Sequence, residues 1–326
     1  MAASALQEQL TKYLTDAHSI EEQALQQLKR APDIAEDGEI ASIFSTHLGE
    51  TKEHERLVNE RLAARGADPS RIKDTIMKVG GVGFILFARS QPDSPGKLVA
   101  HAYSYEHLEL GAYELLRRVA ERAGDNETAE VARTIGEQER EMGRRLERVF
   151  ERAVDASLRT KAPADLPDHV RKYLGDAHAI EAQAIELLEK AVDRAGHPEL
   201  SRVYEEHLVE TRDQQELLDE RLTALGGDSS SWKSAALRAG ALQWAAFFEA
   251  HPDTPGKLAA FAYAFEHLEI AGYEELKLVA KRAGDDDTID VANRILAQER
   301  AAAKKLAGAF DEAVDAALEA QGIATR

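Results

Sequence analysis

The sequence predicts an all-α protein built from two tandem copies of one four-helix bundle. The first observation is composition: of 326 residues, 44% are hydrophobic, 31% are charged and only 9 are proline, which is typical of globular proteins rich in amphipathic helices. The second observation is a repeat, because a shift of 160 positions aligns the chain with itself without a gap. We therefore expect two domains, residues 1–160 and residues 161–326.

Long matching strings show the duplication directly. KYLTDAHSIEEQAL, starting at Lys12, matches KYLGDAHAIEAQAI, starting at Lys172. QPDSPGKLVAHAYSYEHLELGAYE, starting at Gln91, matches HPDTPGKLAAFAYAFEHLEIAGYE, starting at His251. A period this long describes two domains rather than a solenoid of short repeats. Residues that both copies keep are therefore candidates for a shared role.

The spacing of apolar residues in the first copy predicts four long helices, A to D, and one short helix. We expect helix A over about residues 4–30, helix B over 36–65, helix C over 95–123 and helix D over 125–158, with the short helix over 69–89. Short A–B and C–D connections and a long B–C crossover describe the ferritin-like topology. We expect the two bundles to pack as an intramolecular pseudo-dimer, with a further homo-oligomer left open.

Charge and composition restrict the partners. The net charge of −18 argues against nucleic acid and against anionic membrane surfaces, both of which bind basic patches. The chain has no cysteine, so any metal would be held by carboxylate and imidazole. The N-terminus enters an amphipathic pattern at once and no apolar stretch is long enough to span a bilayer. We therefore expect a cytoplasmic protein.

Glutamates interrupt the apolar face of every long helix. In the first copy they are Glu21 on helix A, Glu50 on helix B, Glu106 and Glu109 on helix C, and Glu139 on helix D. The second copy keeps all of them, as Glu181, Glu210, Glu266, Glu269 and Glu299.

Buried carboxylates are expensive, because each ion loses its hydration and like charges repel. Bound cations, arginine or lysine partners, or protonation could offset that cost. Divalent cations do so most completely, since oxygen-rich clusters are hard-metal sites. Arg61 and Arg140, with their counterparts Arg221 and Arg300, lie close to these glutamates in the sequence and make a structural salt-bridge network the main alternative.

Several strings resemble a known family. IEEQAL, THLGETKEHERL, EHLELGAYELL and EQEREMGRRL are similar to the stress-associated YciF-like family of ferritin-like proteins, over nearly the whole of each copy. Ferritins and rubrerythrins are its wider relatives. The resemblance implies a dinuclear iron or manganese site in each bundle, with oxygen or peroxide chemistry or iron handling. YciF-like proteins themselves have no assigned reaction.

Two positions depart from the motif of these relatives: three residues after the helix D glutamate this chain has Met142, and Ala302 in the second copy, instead of histidine. Where they have a histidine three residues after the helix B glutamate, this chain has Glu53, and Asp213 in the second copy. A carboxylate-rich site suits manganese, magnesium or calcium as well as iron. The resemblance implies Glu21, Glu50, Glu106 and Glu139 as metal ligands, with Glu109 as an additional one, and we predict that Glu109 and Glu53 bridge or complete the shell. The two sets of candidate ligands are Glu21, Glu50, Glu53, Glu106, Glu109 and Glu139 in the first copy, and Glu181, Glu210, Asp213, Glu266, Glu269 and Glu299 in the second.

Two histidines recur in both copies, each three residues before one of these glutamates. They are His18 and His47, with counterparts His178 and His207. Such an imidazole could be a ligand or could orient a carboxylate. A hydrogen-bonded place in the core is the commoner role and the one we expect.

The leading functional prediction is a metal-binding protein of the stress response, which acts on oxygen or peroxide if iron or manganese binds. Whether it is an enzyme is left open, because a fold does not establish a reaction. The alternative is a metal-free helical interaction module with salt-bridged or protonated acids. A third hypothesis, an iron store, requires a closed shell of many subunits.

Overall fold

The computed structural model describes residues 2–67, 94–226 and 254–325. Every regular element in these ranges is helical, which confirms the all-α prediction. The short helix predicted over residues 69–89, and its counterpart in the second copy, lie outside the described residues. None of the helices in the described ranges has both the length and the apolar composition needed to cross a membrane.

The chain divides into two compact units. The first comprises Met1–Arg159 together with Ile323–Arg326, and the second comprises Thr160–Gly322. Each unit contains the four long helices of one sequence copy.

The first unit is a helical bundle. Its central helix, α4, packs against α1, α5 and α6, while α1 also packs against α3. Its helices are α1 (Ala2–Leu28), α2 (Ala31–Ile34), α3 (Gly38–Ala64), α4 (Ser94–Arg122), α5 (Asn126–Glu147) and α6 (Phe150–Leu158).

The second unit repeats this arrangement. Helix α9 packs against α7, α10 and α11, while α7 also packs against α8. A short 3₁₀ turn, Pro163–Asp165, leads into the first helix of this unit. Its helices are α7 (Leu166–Arg194), α8 (Pro198–Ala224), α9 (Thr254–Ala283), α10 (Asp286–Gly308) and α11 (Phe310–Glu319).

Proline explains one difference between the units. Pro32 has no N–H to donate to the carbonyl of Leu28, so the first helix ends there and a separate short helix, α2, follows. The predicted loop at this place is therefore a helical turn. In the second unit Val192 stands at the same position, and α7 continues to Arg194.

The predicted helix D is two helices. Helix α5 ends at Glu147 and α6 begins at Phe150, with Val149 at the junction. The break places the Phe150 ring edge-on to Tyr103, with ring centroids 5.2 Å apart. The second unit repeats both the break and the ring contact. No proline marks this junction in either copy, so the sequence pattern ran through it as one helix.

The interior of each bundle is mainly apolar. In the first unit Leu14, Phe44, Leu116 and Ile135 come from four different helices and are at most 1% exposed. Burying a side chain of this size contributes about 1.5–3 kcal/mol. The same interior also holds glutamate and histidine side chains, which form the candidate site.

Candidate metal centre

The first bundle buries a cluster of titratable side chains contributed by four helices. Each is at most 3% exposed, although carboxylates and imidazoles are rarely buried to this degree without a partner or a metal. The cluster consists of Glu21 on α1, His47 and His54 on α3, Glu106 and Glu109 on α4, and Glu139 on α5.

His47 lies at the centre of one group of ligand atoms. Its Nε2 atom is 3.0 Å from Oε2 of Glu106 and 3.4 Å from Oε2 of Glu139. Its Nδ1 atom is 2.9 Å from Oε2 of Glu50. His47, Glu106, Glu109 and Glu139 each offer a ligand atom, and these atoms all lie within 4.8 Å of one another.

His54 anchors a second group beside the first. Its Nδ1 atom is 2.8 Å from Oε1 of Glu139 and 3.7 Å from Oε1 of Glu21. Glu21, His54 and Glu139 also offer ligand atoms within 4.8 Å of one another. Glu139 therefore belongs to both groups, with one carboxylate oxygen towards each histidine.

Neighbouring polar groups hold the cluster in place. The Tyr113 hydroxyl donates to Oε1 of Glu21 at 2.5 Å. Nε2 of His54 is 2.6 Å from Oε1 of Gln138, so the amide oxygen accepts from the imidazole. Such outer partners fix the orientation of metal-ligating side chains.

Burial and mutual repulsion shift the carboxyl groups strongly. Burial, followed by the charges of Glu139, Glu21 and Glu106, raises the pKa of Glu109 well above its ordinary value. Burial, followed by the charge of Glu139, raises the pKa of Glu21 to about 8. Burial also raises the pKa of Glu139 to about 7, although the hydrogen bond with His54 opposes it. Without a metal, some of these groups therefore hold protons at neutral pH.

The pKa values of the two histidines are raised as well, which favours the charged form of an imidazole. Burial opposes the charged imidazolium, but the hydrogen bond and charge of Glu139 raise the pKa of His54 to about 9. Burial likewise opposes charge on His47, yet Glu106 and Glu50 raise its pKa well above the ordinary value. Each imidazole is therefore held as a cation beside carboxylates, and a bound metal ion would replace the proton that lies between nitrogen and carboxylate oxygen.

The second bundle contains the counterpart of the first group. His207, Glu266, Glu269 and Glu299 offer ligand atoms within 4.8 Å of one another. Nε2 of His207 is 2.9 Å from Oε2 of Glu266 and 3.7 Å from Oε2 of Glu299. The Tyr273 hydroxyl donates to Glu181, as Tyr113 does in the first bundle.

Glu109 is the buried carboxylate that the protein itself leaves least satisfied. It is 0% exposed, and neither of its oxygens has a hydrogen-bond partner among the described residues. Its counterpart Glu269 is 1% exposed and contacts the carboxyl group of Glu299, which is itself an acid and does not balance its charge. A buried polar atom without a partner costs about 1–3 kcal/mol, and more when it is charged. A bound divalent cation would satisfy these oxygens, so the residues present fit a metal site.

Comparison with known families identifies the family to which the chain belongs. A family model described as "Domain of unknown function (DUF892)" matches residues 5–159 and again residues 165–319. The chain belongs to the DUF892 family. No solved structure matches it. The description of DUF892 names no activity, and the buried clusters are the feature of the two domains that bears on function.

Helix B glutamates lie at the edge of the cluster in both DUF892 domains. Glu50 is half-buried and accepts from Arg145, whose Nη1 atom is 3.0 Å from both carboxylate oxygens. The hydrogen bond with His47, followed by that with Arg145, lowers the pKa of Glu50 to about 2. Glu210 is held in the same way by His207, and Nζ of Lys305 is 3.8 Å away. These two glutamates orient the histidines rather than sitting among the ligand atoms.

Two of the predicted ligands are corrected. Glu53 and Asp213 are exposed, so they do not complete the shell. Glu53 is 2.5 Å from Nη2 of Arg56 on the same helix. The reason is the helical phase: Glu50 already lies at the rim of the buried face, and a step of three residues turns the next side chain into solvent.

Conversely, the histidines are closer to the site than the sequence indicated. His47 and His207 are hydrogen-bonded core residues, as the sequence predicts, and each also provides a nitrogen to a ligand group. The signal was present, because each precedes a helix B glutamate by one turn and recurs in both copies. What could not be read from one helix is that the ring faces Glu106 and Glu139 on other helices.

The arginines that made a salt-bridge network the main alternative point elsewhere. Arg61 pairs with Asp125 at 3.1 Å, and Arg140 pairs with Glu114 at 3.3 Å. Their counterparts do the same: Arg221 pairs with Asp285 and Arg300 pairs with Glu274. These arginines therefore neutralise surface and boundary acids and leave the buried cluster to its histidines.

A third group of ligand atoms lies at the edge of the first domain. It consists of buried His18 and half-buried Glu22 and Glu55. The second domain has Ala182 and Gln215 in place of the two glutamates. This edge group is therefore specific to the first copy, unlike the group around His47, which recurs around His207.

Proposed function

We propose that the chain is a metal-binding protein whose two DUF892 domains each hold divalent metal, iron or manganese, in the buried cluster. The observation that carries this proposal is Glu109, a fully buried carboxylate whose oxygens have no hydrogen-bond partner among the described residues and which faces His47, Glu106 and Glu139. Natural proteins seldom keep such a group without a function. The recurrence of this buried carboxylate as Glu269 in the second domain supports the same conclusion.

Charge also favours metal in the first domain. Glu21, Glu106, Glu109 and Glu139 together carry a formal charge of −4 when ionised. Two divalent cations would balance that charge without any protonation. Imidazole combined with carboxylate suits iron and manganese, whereas magnesium and calcium favour oxygen ligands alone.

The proposal also concerns the reaction that a bound metal would support. Bound iron or manganese with an open position would supply redox chemistry towards oxygen or peroxide. The protein's own residues bury the site from water, hold Glu21 through the Tyr113 hydroxyl and orient His54 through Gln138. The resemblance to ferritin-like, YciF-like proteins supports a role in the stress response.

A metal-free helical module is the second candidate, favoured by the ion pairs of the cluster. His47 with Glu106 and His54 with Glu139 are at hydrogen-bond distance and could hold the bundle together without metal. This arrangement leaves the oxygens of Glu109 without a hydrogen-bond partner among the described residues. We therefore prefer the metal-binding function.

Metal content and metal-dependent melting test the proposal. We would compare the wild-type chain with the double variant Glu139→Gln, Glu299→Gln, which removes a ligand charge from each cluster. The matched control is Glu114→Gln, Glu274→Gln, since these glutamates lie on α4 and α9 but pair with arginine and lysine outside the cluster. Iron or manganese should co-purify with the wild type and the control, and added Mn²⁺ or anaerobic Fe²⁺ should raise their melting temperatures.

Loss of both effects in the ligand variant alone would support the proposed site. Absence of metal from the wild type, together with no thermal shift, would instead favour the interaction module. Three sequence expectations stay predictions: the cytoplasmic location, the intramolecular pseudo-dimer and assembly into an iron store. Solution mass tests the last of these directly.

A further inference from the structure

We infer that the two DUF892 domains differ in nuclearity: the first binds a pair of metal ions, and the second binds one ion tightly. The inference rests on the proposed function and concerns how many ions each cluster holds. Its starting point is that the first domain has two ligand groups sharing Glu139, whereas the described part of the second domain has one, around His207.

Each ligand group of the first domain has its own imidazole. Nδ1 of His47 is engaged by Glu50, which leaves Nε2 directed at Glu106 and Glu139. Nε2 of His54 is engaged by Gln138, which leaves Nδ1 directed at Glu139 and Glu21. Both rings are therefore oriented by one nitrogen and present the other to the cluster, as metal-ligating histidines do.

The shared carboxylate makes the two groups one dinuclear arrangement. Oε2 of Glu139 lies towards His47, at 3.4 Å, and Oε1 lies towards His54, at 2.8 Å. A carboxylate with one oxygen on each side can bridge two cations. In carboxylate-bridged bundles, ligands converge from all four helices in this way.

The second domain replaces one of the imidazoles. Gln214 stands where the first domain has His54. Its Nε2 atom donates to Oε1 of Glu299, the oxygen that matches the one facing His54, and is 3.3 Å from Oε1 of Gln298. An amide nitrogen does not ligate a metal. Turned over, the amide would offer a neutral oxygen, which transition metals bind more weakly than imidazole.

The other ligand group is complete in the second domain. His207 has Nδ1 at 3.3 Å from Glu210 and Nε2 at 2.9 Å from Glu266, so its ring is oriented like that of His47. Glu269 and Glu299 complete that group. One strong ion position is therefore retained and the second has lost its nitrogen ligand.

Reciprocal exchange of the two residues tests the inference. All proteins would carry Glu22→Ala and Glu55→Gln, which give the edge group of the first domain the residues of the second. Mn²⁺ alone is the probe, counted by elemental analysis after gel filtration and examined by electron paramagnetic resonance. We expect about three ions per chain in the parent, and a spectrum containing an exchange-coupled Mn²⁺ pair beside an isolated ion.

His54→Gln should reduce the content to about two ions per chain and remove the coupled signal. Gln214→His should raise it to about four and double that signal. The gain in the second variant cannot come from misfolding, so the test does not depend on how well His54→Gln folds. Circular dichroism of the metal-free proteins checks folding independently.

Two results would overturn the inference, and they differ. About four ions in the parent, unchanged by His54→Gln, would keep the proposed function while showing that both clusters are dinuclear. No Mn²⁺ in the parent or in either exchange variant would remove the proposed function and the inference together.

Discussion

At the scale of single residues, the buried glutamates lower the stability of the metal-free protein and provide ligands for metal. Glu109 is fully buried, and burial together with three neighbouring carboxylates raises its pKa well above the ordinary value. In the metal-free protein it is a cost to folding, since its oxygens have no hydrogen-bond partner among the described residues. A residue kept at such a cost in both copies is better explained by a ligand than by packing.

Glu109→Gln should therefore stabilise the metal-free protein and weaken metal binding. The amide has no charge to desolvate and can donate to neighbouring carboxylates, so we expect a gain of about 1–3 kcal/mol in the free energy of unfolding of the first domain. The melting-temperature rise produced by Mn²⁺ should shrink. Chemical denaturation with and without Mn²⁺ measures both effects. A variant that is less stable without metal would mean that Glu109 has a structural partner.

A second residue-scale prediction concerns backbone strain at Glu36. Its φ angle of 51° lies in the left-handed region, where the second copy has Gly196 at φ 67°. The side chain of Glu36 is exposed and gains nothing from this conformation. Glu36→Gly should therefore stabilise the first domain by about 1 kcal/mol.

The reciprocal change should be unfavourable. A Cβ at Gly196 would lie 3.3 Å from Pro255 and 3.4 Å from Ala316, so Gly196→Ala adds crowding to the strained φ angle. Thermal melts of both variants check the pair. A melting temperature of Glu36→Gly below that of the wild type would contradict the assignment of strain at this position.

The site residues could be predicted only in part. The five helix-face glutamates of the first copy were visible because a charge that recurs on an apolar face is unusual. Three of them on α4 and α5, with Glu21, do converge, whereas Glu50 lies at the rim beside Arg145. Distinguishing rim from centre requires the rotation of each helix about its axis, which a periodic pattern specifies only to within tens of degrees.

At the scale of elements, a polar junction fastens the end of α3 to the start of α5. Asp125 accepts from the backbone N–H of Thr128 at 3.0 Å and caps α5. It also lies 3.1 Å from Arg61 and 3.0 Å from Arg65, all three side chains being mostly buried. One carboxylate therefore serves as helix cap and as partner of two cations.

Asp125→Ala should loosen this junction. Loss of the cap costs about 1 kcal/mol, and two partly buried arginines lose their partner, so we expect about 2–3 kcal/mol in total. Asp285→Ala should cost less, because Leu225 replaces Arg65 in the second domain and Arg221 is the one arginine paired with Asp285 among the described residues. Hydrogen exchange of α5 and α10 reports each domain separately. A larger effect in the second domain would refute this account of the junction.

Element existence was more predictable than element ends. Long apolar periodicity gave the long helices, and Gly66 and Gly124, at φ 71° and 72°, stand just beyond the ends of α3 and α4. The break between α5 and α6 was missed because its cause is tertiary. The break places Phe150 against Tyr103. The residues at the break are Arg148 and Val149, and neither is a proline or glycine that would predict a helix end.

At the scale of the whole molecule, duplication has conserved the arrangement of charge while changing its details. Both domains keep four buried carboxylates and a histidine oriented by a helix B glutamate. His54 of the first domain is replaced by Gln214 in the second, and Arg145 is replaced by Lys305. Comparison of the copies could reveal these substitutions from sequence, but their meaning depends on contacts between helices.

The linked ionisation of these clusters predicts how the whole metal-free chain responds to pH. The folded-state pKa values of Glu21 and Glu181 are about 8 and that of Glu139 is about 7, all mainly through burial. Carboxyl groups with raised pKa values impose no penalty below the unfolded value, and the penalty grows as pH rises through the folded value. His54, raised to about 9 by Glu139 against the effect of burial, loses its stabilising charge in the same direction.

Metal-free protein should therefore be most stable near about pH 5 and lose stability, on the order of a few kcal/mol, by about pH 9. Glu50 affects stability only at acid pH. Its pKa is lowered to about 2, so the stability that it contributes is lost as the pH falls below the ordinary pKa of a glutamate. Mn²⁺ should act in the opposite sense, because its ligands must be deprotonated, so the thermal shift that it causes should grow with pH. Denaturation of apo and Mn²⁺-loaded protein across this range measures both trends.

The double variant Glu139→Gln, Glu299→Gln supplies the control for this experiment. It removes two of the raised carboxyl groups, and with them part of the charge that the histidines and the other glutamates sense. Its metal-free stability should fall less steeply with pH, and Mn²⁺ should protect it less at every pH. A slope equal to that of the wild type would mean that Glu139 and Glu299 have no measurable part in the pH dependence.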